Sequence, residues 1–127
     1  MVLAEGISSA SNTGLIQGGI YQTNDKLYPS LSGIAHESTK QTRLSHTNGT
    51  ISLARTTPGS ANTEFFICIG DQTQFDYGNA TAGDTLGFAA FGRVVNGMDV
   101  VRRIQGQPKH DQSFNEKILI KKITEGD

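Results

Sequence analysis

Short apolar runs separated by polar, glycine-rich stretches make up the hydrophobic pattern of this chain. Residues 14–21 have the apolar content of a β-strand, interrupted by an adjacent pair of glycines that permits a bend. Residues 50–54 and 64–69 are two further apolar runs, and the residues 57–62 between them are rich in turn formers. The pattern predicts that these two runs pair as the middle of a sheet.

Loops and two more strands are predicted on either side of this pair. Residues 23–48 are polar with scattered leucine and isoleucine, which indicates a loop with at most short strands. A loop rich in glycine, asparagine and threonine covers 77–87 and leads into the apolar run 88–95, which is typical of a buried strand. Residues 117–124 alternate and carry flanking lysines, which predicts a final strand at an edge or closing position.

One helix is predicted over residues 97–105. Asn96 is a suitable N-cap, Asp99 follows it as in a shortened capping box, and Gly106 marks the end. The apolar positions that repeat at helical spacing are Met98, Val101 and Ile104. Because strands outnumber helices and glycine-rich turns join them, the pattern predicts a mostly β domain, built as a barrel or a sandwich.

Composition and charge narrow the classes of function. The 127 residues are enough for one domain, and a 35% hydrophobic content fits a soluble globular protein. With 11 Lys+Arg against 12 Asp+Glu and no large basic cluster, neither nucleic acid nor a membrane is an expected partner. The first residues lack the features of a secretory signal, which predicts a cytoplasmic location by default and leaves an exported full-length form open.

Metal and nucleophile chemistry are not expected from the residue pattern. His36, His46 and His110 lie far apart without paired ligands at metal-binding spacing, so we interpret them as surface or locally hydrogen-bonded histidines. Cys68 lies inside an apolar run, where a thiol behaves as a small buried hydrophobe. Three carboxylates in loops are interpreted as turn residues, namely Asp71, Asp76 and Asp84.

Four sequence blocks, in order along most of the chain, carry a more specific signal. They are residues 16–19 (Ile-Gln-Gly-Gly), 48–55 (Asn-Gly-Thr-Ile-Ser-Leu-Ala-Arg), 64–69 (Glu-Phe-Phe-Ile-Cys-Ile) and 91–101 (Phe-Gly-Arg-Val-Val-Asn-Gly-Met-Asp-Val-Val), with Pro58 between the second and third. Together they resemble the ordered signature of the cyclophilins, in the form of a divergent bacterial branch.

This resemblance implies a peptidyl-prolyl cis-trans isomerase that needs no metal or cofactor. The implied fold is an eight-stranded β-barrel with two flanking helices, and the implied ligand is an X-Pro segment of a peptide or an unfolded protein, held in a groove. Rotation about an X-Pro bond meets a barrier of about 18–20 kcal/mol, so a catalyst must bind the twisted amide more tightly than the planar one. In the family an arginine hydrogen-bonds near the prolyl nitrogen, and an apolar pocket seats the proline ring.

The polar side of the groove is assigned by the same resemblance. Gln17 matches the family glutamine that holds the peptide, and Leu15 matches the apolar residue before it. Ala54 and Arg55 match a backbone segment that binds peptide, while Glu64 matches the glutamine ahead of the paired phenylalanines. Gln17 and Arg55 are the catalytic candidates; a structural hydrogen bond is the alternative role for Gln17.

The apolar side of the groove is assigned to three phenylalanines. Phe66 matches the floor of the proline pocket, Phe75 matches the apolar residue of a loop, and Phe88 occupies the position of a family histidine. All eight of these groove positions are expected to bind substrate. Core packing is the alternative role for Phe66 and Phe88.

The chain departs from the family pattern in two ways. The family arginine precedes the Gln-Gly-Gly block, and here no arginine occurs before Arg43. The family's N-terminal strands and first helix also have no counterpart, so residues 1–127 are expected to form one incomplete cyclophilin-like domain. Either the chain is truncated, or residues 1–11 replace the lost part, or a second copy covers an open sheet edge. The functional alternatives are a proline-peptide-binding module with little or no turnover and a truncated remnant.

Overall fold

In the part of the chain that the structure describes, the fold is an open antiparallel sheet of seven strands. The computed structural model describes residues 2–5, 13–19, 31–110 and 113–126. In chain order the strands are β1 Val2–Glu5, β2 Gly14–Gly18, β3 Thr50–Leu53, β4 Phe65–Ile69, β5 Ala89–Arg93, β6 Lys109–His110 and β7 Ser113–Phe114. The helices are α1 Thr39–Thr42 and α2 Met98–Gln105, and short 3-10 turns cover Thr73–Phe75 and Ala80–Ala82.

The strand order confirms the predicted mostly β class. It runs β5-β3-β4-β2-β1-β7-β6, with β3 and β4 paired near the middle as the apolar runs predicted. Within the described residues β5 and β6 lie at opposite edges and do not pair with each other. Among the described residues the sheet is therefore not closed into the expected eight-stranded barrel.

The two faces of the central strands have different neighbours. Leu15 of β2 lies opposite Cys68 of β4, and both belong to an apolar cluster with Phe66 and Phe75. Because side chains alternate along a strand, the adjacent Ile16 and Ile69 point to the other face. There they pack against α2 through Val101. The helix thus covers one face, which leaves the face of Leu15 and Phe66 for the candidate site.

Helix α2 confirms the predicted helix within one residue, but the predicted Asn96 cap is wrong. The N-cap is Gly97 in the left-handed conformation, with φ of 101°, and no side chain caps the helix. Asn96 therefore lies one residue too early for its side chain to reach the first free N–H groups. The backbone carbonyl of Gly97 accepts instead from the N–H groups of Val100 and Val101.

The predicted loop over residues 23–48 contains a short helix that was not predicted. Residues 23–30 of that loop lie outside the described part. Helix α1 is a single turn held by a capping box, in which the Ser38 hydroxyl accepts from the Gln41 N–H and the Gln41 side chain accepts from the Ser38 N–H. The spacing Ser-x-x-Gln is visible in the sequence and could have located this turn.

The predicted strand over residues 117–124 is wrong. These residues form no strand, and Leu119 and Ile123 are 66% and 75% exposed. A strand forms by pairing its backbone with a neighbour, and the described residues offer none to this segment. Alternating apolar residues were therefore not enough to predict a strand in this segment.

Strand β1 was not predicted and lies along the outer edge of β2. The antiparallel register runs from Val2 opposite Gly18 to Glu5 opposite Leu15, and Leu3 also lies opposite Ser113 of β7. Residues 2–5 therefore pair with this side of β2, while β5 and β6 form the two edges of the sheet among the described residues.

Candidate functional site

All eight groove residues expected from the sequence lie around one pocket. It has a volume of about 250 Å³ and opens on the face of the sheet opposite α2. The lining residues are Leu15, Gln17, Ala54, Arg55, Glu64, Phe66, Phe75 and Phe88, together with Thr56, which the sequence analysis did not single out. The structure thus brings together positions that are up to 73 residues apart in sequence, from Leu15 to Phe88.

Strand pairing accounts for the polar side of the pocket. Gln17 lies opposite Phe66 in the β2–β4 register, and residues directly opposite in an antiparallel pair share a face. At the end of β3 the Ala54 N–H donates to the carbonyl of Glu64 at 2.9 Å. This bond holds the segment after β3 beside the segment before β4, so that Arg55 and Glu64 both border the pocket.

Three phenylalanine rings form the apolar side. The ring centroids of Phe66, Phe75 and Phe88 lie 5.4 to 5.6 Å apart, and each pair meets edge to face. This is the favoured geometry for aromatic pairs. Phe66 and Phe75 are buried, while Phe88 is half-buried at the rim. The three rings form the apolar surface of the pocket.

A glycine allows the rim to close over this surface. Gly87 has φ of 67°, and a Cβ there would lie 2.5 Å from the carbonyl oxygen of Phe75. The same carbonyl accepts from the Phe88 N–H at 2.9 Å. Glycine at position 87 therefore lets the chain pass close to Phe75 and places Phe88 over the pocket.

The Arg55 guanidinium is built into the pocket wall. Its side chain is 2% exposed and forms a two-bond pair with the Asp84 carboxylate at 2.9 and 3.0 Å. The remaining N–H groups point to the carbonyls of Gly87 and Thr56, and the guanidinium lies 5.3 Å from the Phe88 ring centroid. The hydrogen bond from Arg55 lowers the pKa of Asp84. Every N–H group of Arg55 thus has a protein acceptor.

A buried polar cluster behind the rings was missed by the sequence analysis. His46 is fully buried, and its Nδ1 lies 2.6 Å from Oδ1 of Asp76 and its Nε2 lies 2.8 Å from Oγ of Ser52. Asp76 also accepts from the Ser45 hydroxyl at 2.5 Å and from the His46 N–H at 2.8 Å. The interpretation of His46 as a surface or locally hydrogen-bonded histidine is wrong, because its ring is fully buried and bonds to Asp76, 30 residues away in sequence. Asp76 has partners about 30 residues away, so its role is larger than that of a turn residue.

Burial and hydrogen bonding shift the ionisation of this cluster. Burial lowers the pKa of His46 below its ordinary value of 6.5, and the neighbouring Asp76 offsets this only in part. Burial by itself would raise the pKa of Asp76, but the hydrogen bonds from Ser45 and His46 outweigh it and hold that pKa below 3.8. Both groups therefore favour the folded state more at neutral than at acid pH.

The stability of the protein is expected to fall as the pH drops below about 6.5. In the unfolded chain His46 takes up a proton near pH 6.5, whereas in the folded chain it does so at a lower pH. The unfolded state then binds more protons, which lowers the free energy of unfolding by at most about 1.4 kcal/mol per pH unit for one group. Thermal unfolding between pH 7.5 and 5 measures the decline. His46→Gln should flatten it, and an unchanged slope in that variant would contradict the assignment.

Asp71 and His36 hydrogen-bond to backbone groups of distant segments, 23 and 50 residues away in sequence. The Asp71 carboxylate accepts from the Asn48 N–H at 3.0 Å, and Nε2 of His36 lies 3.1 Å from the Leu86 carbonyl. Asp84 accepts from the Leu86 N–H two residues on, as a turn aspartate does. Cys68 is fully buried, and burial raises the pKa of its thiol to about 12. Across residues 2–5, 13–19, 31–110 and 113–126 no group of three metal-ligating side chains occurs.

Comparison with known proteins places this chain in a family. Residues 8–125 match the model of the cyclophilin type peptidyl-prolyl cis-trans isomerase family. The chain therefore belongs to that family, as the four sequence blocks indicated.

Three bacterial relatives show the extent of the similarity. A peptidyl-prolyl cis-trans isomerase of Acinetobacter baylyi is 36% identical over 105 residues, which cover 82% of this chain and 53% of the relative. Peptidyl-prolyl cis-trans isomerase B of Escherichia coli is 32% identical over 122 residues, which cover 89% of this chain and 71% of the relative. Peptidyl-prolyl cis-trans isomerase A of Dickeya dadantii is 34% identical over 91 residues, which cover 71% of this chain and 45% of the relative. The chain spans about half the length of the first of these relatives. In the part of the chain that the structure describes, no helix is long and apolar enough to cross a membrane.

Proposed function

We propose that the chain is a peptidyl-prolyl cis-trans isomerase acting on X-Pro bonds in peptides and folding proteins. The observation that carries the proposal is the single pocket in which three edge-to-face phenylalanine rings meet the polar side chains of Gln17, Arg55 and Glu64. The proline ring packs on the rings, and the polar groups bind the flanking peptide backbone.

The proposed chemistry is differential binding of the twisted amide. Twisting the X-Pro bond ends the resonance that gives it partial double-bond character and leaves a lone pair on the prolyl nitrogen. A hydrogen-bond donor near that nitrogen stabilises the twisted state more than the planar one. Gln17 holds the peptide backbone in this proposal, and Arg55 supplies the donor by exchanging one of its bonds to Asp84 or Gly87.

A proline-peptide-binding module with little turnover is the second candidate. Two observations favour it: no arginine precedes the Gln-Gly-Gly block, and each N–H group of Arg55 already has a protein acceptor. In such a module the apolar pocket and backbone hydrogen bonds would bind an extended peptide without favouring its twisted state.

An exchange measurement on an Ala-Pro peptide distinguishes the two candidates. The sample is first shown to be folded by a cooperative thermal transition, which a remnant would lack. NMR exchange spectroscopy then reports the cis-trans rate and the peptide affinity together. We expect exchange faster than the uncatalysed rate. Peptide binding without acceleration would favour the binding module. The absence of both binding and acceleration would contradict both candidates.

A further inference from the structure

The cluster of Ser45, His46, Ser52 and Asp76 joins three segments that meet behind the aromatic pocket. His46 and Ser45 lie in the segment after α1, Ser52 lies on β3, and Asp76 follows the 3-10 turn Thr73–Phe75. The imidazole bridges the other two segments, with Asp76 on one ring nitrogen and Ser52 on the other. His46 and Ser52 are both fully buried.

The chemistry of the partners fixes the direction of each hydrogen bond. The ionised Asp76 carboxylate only accepts, so Nδ1 of His46 carries the proton and donates it. In the neutral ring Nε2 then accepts, and the Ser52 hydroxyl is its donor. The carboxylate is held further by the Ser45 hydroxyl and by the His46 N–H. Every hydrogen-bonding group of the imidazole is thus engaged, and its orientation is fixed.

The fixed imidazole is in contact with two of the pocket rings. It stacks on Phe66 at 5.8 Å between centroids with the planes 15° apart, and it meets Phe75 edge to face at 5.9 Å. Both polar partners are also close to these rings, since Ser52 lies opposite Phe66 in the β3–β4 register and Asp76 directly follows Phe75. The cluster is therefore in contact with the buried part of the pocket.

A serine, a histidine and an aspartate linked by hydrogen bonds also suggest nucleophilic catalysis. The burial of this cluster excludes that role. Ser52 has no exposed surface, and it lies on the central part of the sheet beside Phe66. A substrate carbonyl cannot reach its hydroxyl without displacing the pocket floor. The cluster acts on the pocket from behind and not as a catalytic group.

We propose that His46 is a positioning residue for the proline pocket: its bonds to Asp76 and Ser52 hold the imidazole as a rigid support for Phe66 and Phe75. The inference rests on the proposed function, because the pocket it supports is the one proposed to bind proline. Loss of the support lets both rings move, and the pocket then fits proline less well in the planar and in the twisted state. Such a uniform loss raises KM and leaves kcat nearly unchanged.

Ser52→Ala and His46→Phe test the inference. Ser52→Ala keeps the imidazole but removes its Nε2 partner, and His46→Phe keeps a ring but removes both hydrogen bonds. We expect both variants to raise KM for an Ala-Pro peptide by about tenfold, with kcat within twofold, because small displacements of binding groups have large effects. His46→Gln retains a hydrogen-bonding side chain and should recover part of the loss. His36→Gln, at a half-buried histidine bonded to the Leu86 carbonyl, is the matched control.

The readouts separate positioning from simple stabilisation. Measurements are made well below the midpoint of each variant's thermal transition, where a purely structural role would leave KM unchanged. The aromatic proton shifts of Phe66 and Phe75 should move in Ser52→Ala and not in His36→Gln. A KM within twofold of wild type in folded Ser52→Ala would overturn the inference. An inactive wild-type protein would instead contradict the proposed function. The inference is then tested by the Kd for the peptide: we expect Kd to rise about tenfold in Ser52→Ala, and a Kd within twofold of wild type would overturn the inference.

Discussion

Phe88→Ala is expected to lower kcat/KM for an Ala-Pro peptide about 10- to 100-fold without unfolding the protein. Phe88 is half-buried at the rim and contacts the rings of Phe66 and Phe75 edge to face. Removing its ring deletes one wall of the proposed proline pocket, and an aromatic side chain contributes about 1.5–3 kcal/mol of apolar burial, which corresponds to about 10- to 100-fold in affinity. Steady-state kinetics with the same peptide measure the loss.

Phe91→Ala is the matched control for this prediction. Phe91 lies on β5, only three residues further along, but it is 58% exposed and does not line the pocket. Its removal should leave kcat/KM within about twofold, since isolated exposed apolar residues contribute little to the fold. Equal losses in the two variants would show that Phe88 acts through general stability, and no loss in Phe88→Ala would contradict the assigned pocket.

Phe66 is less suitable for this experiment because it belongs to the core. It is 3% exposed and packs with Leu15, Cys68 and Phe75. A Phe→Ala change at such a position costs about 3–5 kcal/mol of stability, a large share of the total of about 5–15 kcal/mol for a domain. Phe66 thus has both predicted roles, since it lines the pocket and packs in the core. A loss of activity in Phe66→Ala could not show which of the two roles causes it.

The central strands and helix α2 could be predicted because their patterns reflect burial within a short segment. Strand β4 is a continuous apolar run, as expected for a strand covered on both faces, and the apolar spacing in α2 matches the single face that packs on the sheet. The tail over residues 117–124 has an equally suitable pattern, but the described part of the chain offers it no neighbouring strand. A strand depends on its partner as much as on its own residues, and a partner cannot be read from the segment itself.

The pocket and the cluster behind it differ in how much the sequence revealed. The pocket positions belong to sequence blocks whose order resembles a family, so eight residues could be assigned to one groove before the structure was known. The His46 cluster has no such signal in the residue pattern. Its hydrogen bonds join His46 to Ser52 and Asp76 across gaps of 6 and 30 residues. Only the folded chain places an imidazole between them.

Arg55→Ala is expected to produce the largest loss of activity, about 100-fold or more in kcat. In the proposed mechanism Arg55 is the donor that favours the twisted amide, and removal of one preorganised donor to a transition state typically costs about 10²–10³ in rate. Arg55→Lys should recover little, because an ammonium lacks the planar fork that bonds both Asp84 oxygens and the Gly87 carbonyl. Arg93→Ala, at an exposed arginine on β5, is the control and should retain activity.

Asp84→Ala then separates catalysis from support of the pocket wall. If Arg55 reaches the prolyl nitrogen by giving up a bond to Asp84, removing the Asp84 carboxylate frees the donor. The guanidinium still keeps its bond to the Gly87 carbonyl. In that case kcat of Asp84→Ala should stay within about threefold of wild type or rise. If Arg55 only holds the wall, both variants loosen Phe88, and KM rises in each while kcat changes little. We expect the first result. Unchanged activity in Arg55→Ala would remove Arg55 from the mechanism and would leave Gln17 as the polar side chain to test next.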